Sequence, residues 1–337
     1  MSADAPILIY CRWEAAAGIE RVSLRLRDFL RRNGVAAELV SRDGAPVFGA
    51  EVKRLSDVDL RGRTLVFSRK RDLRDLGLHA LSLRLIYWRH VPMVGGVRTR
   101  LTDHAVLAAM SWRGTVLCVC DDLTEEVRHL AGVRRSNVST AYAPVSPEVP
   151  VQVPIRSTPH PTRLLFAGRP GMQKRLDKVL AAVAEARGKG HPVTLRVHGY
   201  PSPGKPPDGV TFAPLNSDPR AVMSQTDALI VWSGYEGFPT IMVEAALAGL
   251  PIIANDFSTG LADFERRIGP TARIQEGPDA LTRAFTRLTP GTYDLSGVRD
   301  KTLWAAWSKA LGHPLREECS NSDIPDRKSA GLRVSDV

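Results

Sequence analysis

The stretch SGYEGFPTIMVEAALAGLPIIA, Ser233 to Ala254, carries the reading of the fold. An apolar strand, Ala228 to Trp232, leads into it. A loop follows with Gly234 and Gly237, then an apolar helix from Ile241 to Ala248, then a second strand from Pro251 to Ala254. Strands separated by helices imply a parallel sheet covered by helices. Glu244 is the only charge between Thr240 and Ala254, and is expected in the first turn of the helix. A buried carboxylate is costly unless donors satisfy it. Backbone amides could be those donors, and so could ligand hydroxyls, which a ribose offers as an adjacent pair. Glu236 precedes it in the loop.

Working outward, the same alternation covers the chain. In the second half, strands are predicted at Thr162–Ala167, Val193–His198 and Val210–Ala213, and helices at Leu176–Arg187, Pro219–Gln225 and Ala280–Leu288. In the first half, strands are predicted at Pro6–Tyr10, Ala36–Val40, Thr64–Ser68, Arg84–Trp88, Thr115–Cys120 and Val138–Tyr142. A helix runs from Ile19 to Arg32, with Ile19, Val22, Leu26, Phe29 and Leu30 on one face and Asn33-Gly34 as its stop. Asp121-Asp122 is expected to cap a helix ending near Gly132. The proline-rich stretch 143–161 reads as a connection. At 337 residues the chain exceeds what one core usually organises. The expectation is α/β: a first domain over 1–150, a linker over 151–161, a second domain over 162–299, a closing helix over 300–312 with Trp304 and Trp307, and a disordered tail over 313–337. In open parallel sheets, ligands bind outside the carboxyl ends of the strands, here in a cleft between the two domains.

The loop after Thr162–Ala167 reads Gly168-Arg169-Pro170-Gly171-Met172-Gln173-Lys174. Its glycines admit close backbone approach, and its two cations suit a diphosphate: arginine gives a planar fork and lysine a mobile charge. The helix that follows would add amide donors. The bland reading is two surface cations on a turn.

The formal net charge is +10. From Arg61 to Arg100, ten lysines and arginines face two acids. Such a surface attracts an anionic membrane, nucleic acid or a diphosphate, or is simply a solvated basic face. No apolar run reaches the ~18 residues of a membrane span. Met1–Tyr10 holds no basic residue, so no secretory leader is expected and the chain reads as cytoplasmic. Cys118 and Cys120 share a strand face and make a poor disulfide pair. Cys11 and Cys319 are isolated, and no spacing suits zinc.

The pair Glu236 and Glu244 resembles the E-x7-E motif of the retaining glycosyltransferase family 4 (glycosyl transferases group 1), which has the GT-B fold of two Rossmann-like domains facing across a cleft. Tyr235-Glu236-Gly237-Phe238-Pro239, Glu244-Ala245-Ala246, Ala248-Gly249 and Pro251 are similar to its signature segment. Gly168-Arg169 with Lys174 resembles its phosphate loop, and Ala17-Gly18-Ile19-Glu20-Arg21-Val22 its first glycine loop. The resemblance covers residues 5–290 and is most specific from 164 to 260. It implies that Arg169 and Lys174 neutralise the diphosphate of a nucleoside-diphosphate sugar, with Gly18 giving it room. Glu244 would hold the ribose and Glu236 the transferred sugar, with Gly237, Phe238, Pro239 and Thr240 forming the loop at the donor sugar. His90 is the candidate side chain from the first domain. The resemblance also implies a glycan or lipid-linked acceptor, with no metal and no other cofactor. Ser258-Thr259-Gly260-Leu261-Ala262-Asp263 departs from the Gly-Pro-x-Glu stretch of many members.

Rival readings explain less. Asp57-Val58-Asp59 has the spelling of a metal-dependent GT-A site, but no convincing apolar strand leads into it. A dehydrogenase would need G-x-G-x-x-G after the first strand, where only Gly18 stands. A sugar-nucleotide epimerase would need no acceptor site. A degenerate transferase kept as a scaffold, or a binder using the basic surface, is the non-enzyme alternative. A nucleic-acid binder would leave both residue pairs unexplained, and no nucleic-acid partner is expected. The remaining partner is an anionic membrane at the inner face of the cell membrane.

Overall fold

The computed structural model describes residues 5–12, 18–145, 163–214, 218–288 and 292–313. The linker expected over 151–161, the tail after residue 313 and Cys319 lie outside them.

The first sheet holds β1 (Ile7–Tyr10), β2 (Ala37–Ser41), β3 (Lys53–Arg54), β4 (Thr64–Phe67), β5 (Arg84–Arg89), β6 (Thr115–Cys118) and β7 (Val138–Thr140). Its order is β3-β2-β1-β4-β5-β6-β7, and every pairing is parallel. Its helices are α1 (Gly18–Arg32), α2 (Asp72–Leu76), α3 (Val97–Arg113) and α4 (Asp121–Arg128). The second sheet holds β8 (Arg163–Ala167), β9 (Thr194–His198), β10 (Val210–Phe212), β11 (Ala228–Val231), β13 (Ile252–Asn255) and β15 (Ala272–Ile274). Its order is β10-β9-β8-β11-β13-β15, again all parallel. A two-residue pair, β12 (Tyr235–Glu236) and β14 (Ser258–Thr259), stands apart from it. The helices here are α5 (Leu176–Gly188), α6 (Thr240–Leu247), α7 (Gly260–Arg267), α8 (Ala280–Phe285) and α9 (Asp300–Leu311).

Both sheets start in the middle, run outward to one edge, then return and run to the other. That is the doubly wound order, with a topological switch point beside the first strand of each. The fold is therefore two Rossmann-like domains.

The sequence explains the local choices. In α1, Val22, Leu26, Phe29 and Leu30 are buried at helical spacing. Gly34 takes φ of 75°, where glycine carries no Cβ penalty, and the Val35 amide reaches back to the Leu30 carbonyl at 2.9 Å. Helix α6 is apolar but for Thr240 and Glu244, and its middle, Met242 to Ala246, is buried. Cys11, Cys118 and Cys120 are free and buried.

Three expectations are corrected. Asp121 and Asp122 do not cap α4 with their side chains. Cys120 is the N-cap residue, and the two acids instead pair with Arg267 and Arg266 of α7. Helix α4 also ends at Arg128, short of Gly132. Helices α2, α3 and α7 were not foreseen.

Helix α9 packs on the first domain. Trp307 is fully buried against Trp88, with ring centres 4.8 Å apart, and its Nε1 donates to the Tyr142 carbonyl at 3.2 Å. Arg84 holds the end of the helix by donating to the Leu311 and Ala310 carbonyls at 2.6 and 2.9 Å. A second tie runs through Asp263 of α7. Its carboxylate accepts from the Asp121 amide at 3.0 Å, the Tyr142 hydroxyl at 2.5 Å and Arg266 at 2.6 Å. Asp263 lies in the stretch that departs from the family pattern. Among the described residues, no helix is long and apolar enough to cross a membrane.

Candidate active site

The carboxyl ends of β1, β5, β8, β9 and β11 converge on one cleft of about 240 Å³ between the two sheets. It is lined by Gly18 at the start of α1, His90 after β5, Gly168, Arg169 and Lys174 after β8, and Glu236, Phe238, Pro239, Thr240 and Glu244 after β11. The sequence-predicted residues are thus brought together, with one exception. Gly237 is not among the lining residues. A Cβ there would overlap the His90 carbonyl oxygen, so this glycine lets the second domain's loop press against the first domain. The Cys120 thiol reaches the Gly237 carbonyl at 3.2 Å from the same side.

Glu236 is buried, and its backbone is set by the β12–β14 pair. Its carboxylate accepts from Lys174 Nζ at 2.6 Å and from the Ser233 hydroxyl at 2.8 Å. Its carbonyl accepts from Thr259 Oγ1 at 2.8 Å. Thr259 holds φ of 61°, an uncommon backbone position for a β-branched residue, and its strain is held at the edge of the cleft. An ammonium carries three N–H donors, so Lys174 can hold Glu236 and still donate to an anion. The loops are stitched together further: Gln173 Nε2 donates to the Tyr235 carbonyl at 3.0 Å, and the Gly234 amide to the Gln173 carbonyl at 2.7 Å. Gly199, at φ of 85°, lies so close to the Gly168 carbonyl that any Cβ would overlap it.

Glu244 is the fifth residue of α6, so it sits in the second turn, not the first. Its partner is neither a backbone amide nor solvent. Arg25 of α1 reaches across from the first domain and pairs with its Oε1. Both side chains are largely buried, which removes the screening that weakens surface pairs. Arg21, one turn earlier on α1, also lines the cleft and lies over the Phe48 ring at 4.6 Å. The two arginines were missed because on a predicted amphipathic helix they fall on the face that reads as solvent. Asp218, Gln173 and His198 are further lining residues that no sequence pattern marked.

The helix donors also differ from expectation. The residues of α5 are not among those lining the cleft. Its N-cap, Arg175, turns away to pair with Glu276 at 3.1 Å. The first turns that do reach the cleft are those of α1, through Gly18 and Ile19, and α6, through Thr240 and Ile241. A helix N-terminus carries free amides and a positive dipole end, so both first turns add positive potential to the cleft.

His90 is half-buried, and its Nε2 is shielded from solvent without a hydrogen-bond partner. Its ring packs on Trp88 with centres 4.3 Å apart. Burial, assisted by the nearby Arg69 guanidinium, pulls its pKa down to about 3, so the imidazole is neutral at physiological pH.

Residues 161–289 match the family described as Glycosyl transferases group 1. The chain carries a group 1 glycosyltransferase domain. No curated protein matches this glycosyltransferase significantly in sequence. Among solved structures it is similar to the apo form of the lipopolysaccharide outer core galactosyltransferase WaaB, at 18% identity and a TM-score of 0.62 over 91% of this chain and 98% of that one. It is also similar to Alr3699/HepE of Anabaena in complex with UDP-glucose, at 14% identity and a TM-score of 0.60 over 91% and 93%. A third is WaaG, a glycosyltransferase involved in lipopolysaccharide biosynthesis, at 14% identity and a TM-score of 0.57 over 92% and 96%. At these identities the likeness shows the fold, and the fold is GT-B. The glycosyltransferase thus depends on a nucleotide-sugar donor.

Proposed function

We propose that this glycosyltransferase moves a sugar, with retention at the anomeric carbon, from a nucleoside-diphosphate sugar to a hydroxyl of a glycan or glycoconjugate acceptor. The observation that carries the reading is the convergence of Arg169, Lys174, Glu236 and Glu244 on one interdomain cleft. In this reading Arg169 and Lys174 meet the diphosphate, helped by the first turns of α1 and α6. Gly18, where a Cβ would meet nothing within 4 Å, leaves room for the sugar phosphate. Glu244 accepts from the ribose hydroxyls beside Arg25. Glu236, held by Lys174, receives the transferred sugar, and Phe238, Pro239 and Thr240 form the wall beside it. Neutral His90 is the side chain that the first domain brings to the sugar.

The leaving diphosphate gathers negative charge as the glycosidic bond breaks. Fixed cations and amides aimed at that charge stabilise it without solvent reorganisation. No metal is needed in this scheme. HepE, whose structure holds UDP-glucose, supplies the first donor to try. The second sheet binds the donor and the first receives the acceptor, which is held at an anionic membrane surface.

Glu244→Gln tests the ribose assignment. It is expected to weaken nucleoside diphosphate binding by about tenfold, the scale of one charged hydrogen bond. Affinity equal to wild type, measured by calorimetry, contradicts the role. NMR of the product's anomeric proton tests retention: an inverted centre excludes it.

A further inference from the structure

Six large hydrophobic side chains stand exposed among the described residues, and five of them fall between Leu78 and Trp112. Leu78 and Leu81 lie on the 3₁₀ turn Gly77–Leu81 and are 84% and 67% exposed. Val97, Leu101 and Trp112 lie on α3 and are 75%, 61% and 66% exposed. The segments joining β4, β5 and β6 cover the same face of the sheet, because right-handed crossovers that advance in one direction stay on one side. The Arg113 guanidinium fixes the contact by donating to the Leu81 carbonyl at 2.6 Å. Along α3, Leu101, Ala105, Ala109 and Trp112 fall at helical spacing and all are exposed. They form an apolar ridge on the outside of the molecule, where a soluble helix normally puts charge.

The exposed charged side chains on the two segments that carry this ridge are basic. Arg74, Arg98, Arg100, Arg113 and Arg134 are exposed. The acids between Arg69 and Trp112 are Asp72, Asp75 and Asp103, and each is turned inward. Asp72 takes the Arg69 amide at 2.9 Å, Asp75 the Tyr10 hydroxyl at 2.7 Å, and Asp103 the Arg89 and Lys70 side chains at 3.0 and 2.7 Å. Between Arg69 and Trp112 the basic excess seen in sequence therefore faces outward while the acids face inward; beyond it, the exposed Glu125 of α4 pairs with Arg128.

We propose that this face, the ridge of α3 with the turn Gly77–Leu81, seats the first domain on an anionic lipid bilayer. Leucine, valine and tryptophan side chains enter the interfacial layer, and the arginines meet lipid phosphates. A protein partner of equal fit would have to be both acidic and apolar, whereas a bilayer offers that combination over any area. The parallel sheet also sets the orientation. Helix α3 begins at the carboxyl edge of β5, where His90 and Val91 line the cleft. From Val91 to Val97 the chain spans at most about 20 Å, so a membrane on this face lies beside the cleft mouth. The inference gives the proposed membrane contact its surface, and it rests on that reading for the acceptor only.

The test is co-sedimentation of the full chain with vesicles of phosphatidylcholine containing phosphatidylglycerol, and with phosphatidylcholine alone, at low and high salt. Binding is expected to the anionic vesicles at low salt, and to weaken as salt screens the arginines. The double variant Leu78→Ser with Leu101→Ser should bind at least about tenfold more weakly, and so should Arg98→Glu with Arg100→Glu. Neither pair lines the cleft, so UDP affinity in the same preparations should equal wild type, which also shows that the variants are folded. Absence of vesicle binding, or equal binding by both variants, overturns the proposal. So does self-association that the leucine variant abolishes, which would assign the face to a second copy of the chain. Vesicle binding without any nucleotide binding would instead strike the donor reading and leave this face standing.

Discussion

At the residue scale the ion pair between Arg25 and Glu244 matters most. Glu244 stood out in sequence because it is the one charge in an apolar stretch, and burial there demands a donor. The donor could not be read, because Arg25 lies on another domain and its own helix explains it as a solvated charge. The ribose proposed for this site shares the Glu244 carboxylate with Arg25, which couples donor binding to a contact between domains. His90 gives a prediction with a definite sign. Its folded pKa, near 3, lies below the unfolded value of about 6.5. The unfolded chain then binds the proton first, so this residue's contribution to stability is present above about pH 6.5 and is lost as pH falls toward 3. Asp72 runs the other way. Burial raises its pKa to about 6, so its contribution is lost as pH rises through that value. The two are separated by substitution. The fall in Tm between pH 7.5 and pH 5 is expected to be smaller for His90→Gln than for wild type, and an equal fall in both proteins contradicts the assignment.

At the element scale, loops with close backbone contacts hold the site. Gly237 presses against the His90 carbonyl, and Gly260 presses in turn against the Gly237 carbonyl, so three segments meet with no space for a side chain. Gly237→Ala is expected to force the loop and the first domain apart. It should cost roughly 1–3 kcal/mol of stability, the scale of overpacking, and should weaken transfer more than nucleotide binding. A variant with wild-type Tm and activity contradicts this account. The sequence marked Gly237 as a loop residue of the donor site, but a close approach between chain segments leaves no trace in spacing. Helix α3 was missed for a different reason. Val97, Leu101, Ala105, Val106, Leu107, Met110 and Trp112 put apolar groups on its inner and outer faces alike, so no single stripe emerges. The feature that hid the helix from periodicity is the one proposed to seat it on a bilayer. Most strands were legible to within a residue or two, because parallel strands buried on both faces are continuous apolar runs.

At the scale of the whole molecule, two doubly wound sheets face one another, and their order follows from the alternation of strand and helix. The contacts that hold them together were not legible. The Asp263 cluster with Tyr142, Arg266 and Asp121 lies where the chain departs from its family pattern, and α9 crosses back to bury Trp307 against Trp88. A cleft between domains binds by gathering groups from both, and here α1 of the first domain and the loops after β8 and β11 of the second supply them. The central claim is that this cleft receives a nucleoside diphosphate through Arg169 and Lys174. Calorimetric titration of the purified protein with UDP, GDP, ADP and dTDP, without metal, tests it most directly. The account predicts saturable binding of one of the four, and a loss of at least about tenfold, or ~1.4 kcal/mol, in the Arg169→Ala with Lys174→Ala variant. Failure of all four to bind, or binding that the double variant leaves unchanged, would contradict it.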